Sequence, residues 1–270
     1  MHVAEMVLGE NALPETKLDL ILSRDLRAMA SDLTPTGVRY LVDLYYQLQA
    51  FRIASSNVVR SQENEPNALL VWFSQNLDAL ESRIPSLMKR WAKERREGRW
   101  AMSIHGIGEV YTAGLLASID IGKAPTAGHI WSFCGLNPEM KWEKGEKRPF
   151  SARMKVLCWK IGNSFIKQSN NPKDIYGKVY RSRKEYEVAR NESGAFNGYK
   201  LRTAKGVKIV DELPKFIIDA RARRYAVKLF LSHLHHVMFE CANGVPPPKP
   251  YILTRPEHAH FIAPPLWPCA

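Results

Sequence analysis

The residues best equipped for chemistry are cations set among aromatic rings. From Lys141 the chain presents Lys141, Trp142, Lys144, Lys147, Arg148, Arg153, Lys155 and Lys160, with Phe150 and Trp159 between them. Ammonium and guanidinium groups neutralise backbone phosphates, and flat rings stack on any unstacked base. The interleaving therefore suits a nucleic acid whose bases are partly unpaired. The plainer alternative is a solvated charged loop over core tryptophans. A second basic stretch carries Tyr176, Lys178, Tyr180, Arg181, Arg183, Lys184, Tyr186 and Arg190, and a third carries Arg221, Arg223, Arg224 and Lys228.

Upstream stands Ile104-His105-Gly106-Ile107-Gly108, followed by a small-residue apolar segment from Val110 to Ile119. Glycines before a helix let backbone amides approach a phosphate, and the helix N-terminus favours anions, as in a helix-hairpin-helix turn. A glycine turn between packed helices is the competing reading. Nucleophilic and metal chemistry find less support. Ile119-Asp120-Ile121 resembles a nuclease strand, but two-ion nucleases need several converging carboxylates, and no such partner set stands out. A helix end running into a turn at Gly122 and Pro125 fits better. His233, His235, His236, His258 and His260 with Cys241 or Cys269 match no metal-finger spacing, so neither metal nor cofactor is expected. Cys134, Cys158, Cys241 and Cys269 form no C-x-x-C pair and read as reduced, packed thiols of a cytoplasmic protein.

The charge balance sharpens the partner class. Residues 1–100 hold 13 basic and 13 acidic side chains, whereas residues 101–270 hold 26 and 14, so the whole excess of +12 lies in the second part. Between Lys141 and Lys228 the count is 23 basic to 9 acidic. A single-sign field so concentrated meets a polyanion. No apolar run reaches the roughly 20 residues of a spanning helix. Met1–Glu15 carries three glutamates and no base, so neither a membrane partner nor a signal peptide is expected.

The elements that must position these residues are mainly helical. A short helix is expected over Glu15–Ala30 within an N-terminal segment, residues 1–33. Thr34-Pro35 reads as a hydroxyl cap followed by proline at the first helical position, opening a helix to about Arg60. A second helix runs from Asn67 to about Gly98, kinked or interrupted at Pro85. The two make a long antiparallel, coiled-coil-like hairpin over residues 34–100, either a stalk and assembly surface or a support packed on the same chain. Residues 101–244 form a helical, basic nucleic-acid-binding domain, with helices at Ala152–Gln168 and Pro214–Asn243 and a loop from Asn191 to Gly206. Eight of the 17 prolines fall in residues 245–270, which reads as an extended tail.

The order of segments adds a resemblance over roughly residues 36–245. The Ile104-His-Gly-Ile-Gly turn, the helix to Ile119, Gly135-Leu136-x-Pro138, the basic loop and Arg153-x-Lys155 resemble the C-terminal domain of transposases of bridge-RNA-guided insertion sequences. Tyr176…Tyr180-x-x-Arg183 and Ala222-Arg223-Arg224…Leu229 continue that likeness. With the helical hairpin before it, the block is also similar to the Nop domain of box C/D ribonucleoproteins. Both likenesses meet in the TIGR-associated (Tas) proteins of prokaryotes and their viruses, here without a fused nuclease.

The resemblance implies a non-catalytic protein that binds a box C/D-like guide RNA and reaches target DNA through it. The helical hairpin itself is expected to make a homodimer through its apolar seam. Lys141, Trp142, Lys144, Lys147, Arg148, Arg153, Lys155 and Lys160 would contact RNA. Arg181, Arg183, Lys184, Arg221, Arg223 and Arg224 would form a second basic face, and Gly106 and Gly108 the phosphate turn. One departure bears on catalysis: the transposases place a nucleophilic serine just after Gly-Leu-x-Pro, where this chain has Glu139–Gly145 with no serine, and Ser151 falls later. A divergent transposase or recombinase with an unlocated serine nucleophile, for which Ser151 is the residue to test, and a helix-hairpin-helix protein on duplex DNA without RNA are the alternatives.

Overall fold

A computed structural model describes residues 22–62, 67–143, 145–203, 206–248 and 261–268. The fold is mainly α, in two compact units, Met1–Glu94 and Arg95–Ala270.

In the first unit Ser23 Oγ accepts the Leu26 amide at 3.1 Å and opens α1 (Arg24–Ala28), which passes into a 3-10 turn over Met29–Asp32. Residues 15–21 of the expected Glu15–Ala30 helix lie outside the described residues. Thr34 Oγ1 accepts the Gly37 amide at 3.2 Å and Pro35 takes the first helical position, so α2 (Pro35–Ser61) starts where that pair predicts. Asn67 caps α3 (Ala68–Lys93). Val38 and Val42 of α2 and Ile84, Met88 and Trp91 of α3 are buried, and further along the hairpin polar contacts join the two helices: Gln49 Nε2 donates to Glu81 Oε1 at 3.2 Å, Arg52 Nε to Glu81 Oε2 at 2.5 Å, and the Ser56 and Ser74 hydroxyls meet at 3.2 Å. Bonded to Glu81, the Arg52 guanidinium is held more firmly protonated than usual.

Two expectations about α3 are corrected. Of the kink or interruption expected at Pro85, the interruption does not occur, and the helix is continuous through it although proline has no amide to reach the Glu81 carbonyl. It then ends at Lys93 rather than near Gly98, because Arg95 is extended (φ −105°, ψ 135°) and a separate helix, α4 (Arg96–Ser103), begins in the second unit.

The second unit is assembled around α9 (Lys215–Asn243), against which α4, α6 (Ala127–Phe133), α7 (Ala152–Gln168) and α8 (Tyr176–Glu192) pack. Helix α5 (Glu109–Ser118) lies against α4 and α7. The core is aromatic: Phe165, Tyr176 and Phe230 have ring centroids 5.0–5.6 Å apart, and Trp100 stacks on Phe230. Met154, Leu157, Cys158, Ile161 and Phe165 are all buried, which is the α7 face that the 3.6-residue period marks. Asp120 begins a 3-10 turn over Ile121–Lys123, accepting the Gly122 amide.

The expected Asn191–Gly206 loop is instead the end of α8 followed by a two-stranded antiparallel ribbon, β1 (Tyr199–Thr203) and β2 (Gly206–Val210), in which Tyr199 pairs with Val210. Gly198 and Gly206 at its ends adopt φ of +72° and +121°, open to glycine at little cost.

Of the proline-rich tail, residues 261–268 are tied to the core. The Trp100 indole donates to the Pro265 carbonyl at 2.7 Å, the Trp267 indole donates to Glu240, and Arg96 lies over the Trp267 ring. His233 Nε2 reaches the Ile262 carbonyl at 3.0 Å. That carbonyl can only accept, so Nε2 carries the proton, and Nδ1 accepts from the Tyr176 hydroxyl at 2.7 Å. Burial lowers the His233 imidazole to about 4, against the opposing pull of the carbonyl, and pushes the Tyr176 phenol up. His235 is likewise buried, bonded to the Ala124 carbonyl.

Among the described residues no three His, Cys, Asp or Glu side chains gather to hold a metal ion. No described helix is long and apolar enough to cross a membrane.

Candidate nucleic-acid interface

The basic loop is built outward from a helix end. At the close of α6, Gly135 takes the left-handed conformation (φ +66°), the Leu136 amide reaches back to Trp131 O at 2.8 Å, and the Gly135 amide bonds Ser132 O. This is a Schellman ending. A side chain at Gly135 would lie 2.9 Å from the Phe150 ring, so glycine is needed for space as well as for φ. The Ser151 amide then donates to Phe133 O at 2.9 Å, pinching the two ends of the loop together. Ser151 Oγ caps α7 by accepting the Met154 amide.

Between these ends the Trp142 indole donates to Glu146 O at 2.9 Å, the Glu146 carboxylate accepts the Glu143 amide, and the Arg148 guanidinium lies 5.3 Å from the Trp142 ring. Lys141, Lys147 and Arg148 are exposed; Lys144 lies outside the described residues. The cations are interrupted by Glu139, Glu143 and Glu146, so the loop itself is only mildly positive and the field strengthens along α7. There Arg153, Lys155, Val156 and Trp159 are exposed and Lys160 is half-buried. Burial lowers the Lys160 ammonium. Lys155 Nζ sits over the Phe150 ring at 4.4 Å. Trp159 is 58% exposed and Trp142 36%, so neither is a core tryptophan.

The second expected group is arranged differently. Glu187 is fully buried and gathers Arg183 at 2.5 Å, Arg221 at 2.9 Å and Arg190 at 3.9 Å. Asp219 gathers Lys184 at 3.1 Å, Arg223 at 2.5 Å and the Tyr180 hydroxyl. Burial pushes both carboxyls up, and the hydrogen bonds from these partners outweigh it, leaving both below the ordinary carboxylate range. Arg183, Lys184, Arg221 and Arg223 are thus internal ion-pair members. Arg181, bonded to Asn170, and Arg224 are exposed. Residues 187 and 219, which organise this face, carry no signal in the basic stretches themselves.

In the glycine turn, Gly106 (φ +89°) gives its carbonyl to Ser164 Oγ at 2.7 Å, and His105 meets Gln168, so the turn is fastened to α7. Gly108 is exposed at the start of α5.

The unit is mainly helical, with exposed cations and aromatic rings on one loop and the helix that follows it. Residues 98–155 match the family model of the IS116/IS110/IS902 transposases. The matched stretch runs from α4 through the glycine turn, the pinched loop and the first turn of α7, and it relates this part of the chain to those transposases. No curated protein and no solved structure gives a match.

Proposed function

We propose that the chain is a non-catalytic guide-RNA-binding protein that assembles a box C/D-like, RNA-guided, DNA-targeting ribonucleoprotein in the cytoplasm. The observation that carries the reading is the exposed Trp159, one helical turn beyond the exposed Lys155 that ends the segment matched to transposases. An indole in solvent stacks on an unpaired base, which a regular duplex does not offer, so the surface favours RNA loops and single strands over duplex DNA. Sequence would be read by base pairing of the guide, with the protein holding backbone and shape.

The test is the RNA that accompanies the purified protein. A defined co-purifying RNA, and preference for structured RNA over duplex DNA of equal length, is the expected result. Protein free of RNA that binds duplex equally well overturns it.

The hairpin would supply the homodimer. Phe51 and Val58 on α2 and Phe73 and Leu80 on α3 are exposed at seven-residue spacing. At 100° per residue, measured from the Arg52–Glu81 and Ser56–Ser74 contacts, both pairs fall on one side of the hairpin. A seven-residue stripe is suited to packing against another helix pair of the same kind. Light scattering at twice the chain mass is the expected reading.

A second reading draws on the family match itself: a transposase-like enzyme with Ser151, inside the matched segment, as nucleophile. A covalent DNA adduct lost in Ser151→Ala would establish it.

A further inference from the structure

Helices α8 and α9 and the 261–268 segment enclose an open groove of about 410 Å³. Val179, Leu229 and Ile262 give it an apolar lining, and Lys178, Arg183 and Tyr225 give it cations and a ring. Among the described residues no carboxylate lines it. Each component is held in place. Arg183 is anchored by the buried Glu187 and lies 4.7 Å from the centroids of both Tyr225 and Tyr186. Tyr225 nevertheless remains 41% exposed. Lys178 is exposed, with Nζ steadied by the Pro172 carbonyl at 3.0 Å. Ile262 is fixed through its own carbonyl by His233.

The volume sits near the lower end of the roughly 300–1,000 Å³ of ordinary small-ligand pockets, too small for a helix or strand of a partner protein. An apolar slot with a ring, cations at its edge and no acid complements a flat heterocycle carrying a phosphate. Three arginines around the single Glu187 carboxylate also leave this region positive after internal pairing.

We propose that the groove takes one unstacked nucleotide of the bound RNA, its base against Tyr225 and Leu229 and its phosphate toward Lys178. The site rests on the RNA-binding reading and extends the footprint from the α7 surface to α8 and α9. It gives the ion-paired face a use other than general attraction: Glu187 fixes Arg183 so that the tyrosine and the slot keep their shape before RNA arrives.

The experiment measures anisotropy of the full chain with a synthetic single-stranded RNA of about 20 nucleotides, and with an abasic ribose-phosphate chain of equal length. Leu229→Trp fills the slot and Tyr225→Ala removes the ring. Each is expected to weaken RNA binding about tenfold, the worth of one stacked base, and to change abasic binding less than twofold. Far-UV circular dichroism and melting that match the parent protein establish that both variants are folded. Parent-like RNA affinity in both folded variants overturns the pocket and leaves the RNA reading standing. Equal losses on RNA and abasic chain also overturn it, by assigning only phosphate contact. A parent protein with no affinity for RNA overturns the wider reading first.

Discussion

The described cations between Lys141 and Lys155 stand in solvent beside aromatic rings, whereas Arg183, Lys184, Arg221 and Arg223 of α8 and α9 are paired with two carboxylates. Both stretches look alike in the sequence, since each mixes lysine, arginine and aromatic residues. The difference lies in Glu187 and Asp219, whose side chains are buried or nearly so while their partners lie on both helices. A formal charge count measures attraction at a distance. Which guanidinium can meet a phosphate depends on whether a buried acid already holds it. One region presents its cations to solvent, and the other uses four of its own to join two helices while Lys178, Arg181 and Arg224 stay exposed.

The largest effect that could break this contrast comes from Glu187→Ala. It strands three arginines around a cavity between α8 and α9, and a loss of about 3–4 kcal/mol is expected, toward the lower end for buried pairs because the arginines are partly solvated. Urea unfolding measures it; a change below about 1 kcal/mol would place Glu187 with the solvent-exposed pairs.

Acid separates the regions next. His233 titrates near 4 in the fold and near 6.5 when unfolded, so between those values the unfolded chain binds more protons and stability falls as pH falls. The loss is complete about a unit below pH 4, absent above about pH 7, and no more than about 3.5 kcal/mol. His233→Gln should flatten the slope of melting temperature in that window.

The smallest stability effect belongs to the loop. Replacing Lys147, Arg148 and Lys155 by alanine should leave the unfolding free energy within about 0.5 kcal/mol. The same variant should reduce the salt dependence of RNA binding, by about 0.7 in the logarithmic slope for each phosphate that is no longer neutralised. Unchanged slope together with reduced stability would reverse the assignment of the two regions.

Much of the scaffold is legible in the sequence because local rules and burial agree. Thr34-Pro35 opens α2, the apolar face of Met154, Leu157, Cys158, Ile161 and Phe165 draws α7, and Pro214 precedes α9. The break at Arg95 is not legible, since Lys93-Glu94-Arg95-Arg96 contains no glycine or proline and the cause is the change of unit. The β-ribbon has a readable alternation in Lys200-Leu201-Arg202 and Val207-Lys208-Ile209, masked by the glycines and polar residues around it. Trp142 and Trp159 stand out in the sequence as candidates for stacking, but only their exposure separates that role from core packing. Arg183–Glu187 and Asp219–Arg223 are pairs four residues apart that a helix alone sets side by side, but the pairing of Arg221 with Glu187, 34 positions away, requires the fold.

The pinch between Phe133 and Ser151 has a consequence for how this chain can change. One backbone hydrogen bond, a Schellman ending on one side and a helix cap on the other hold both ends of the loop to elements folded without it. Doubling the enclosed length would cost only about 0.6 kcal/mol of closure entropy. Residues 137–149 therefore behave as an exchangeable cassette: insertions, deletions or a different charge pattern there can retune what is bound while the helices that carry the loop remain as they are.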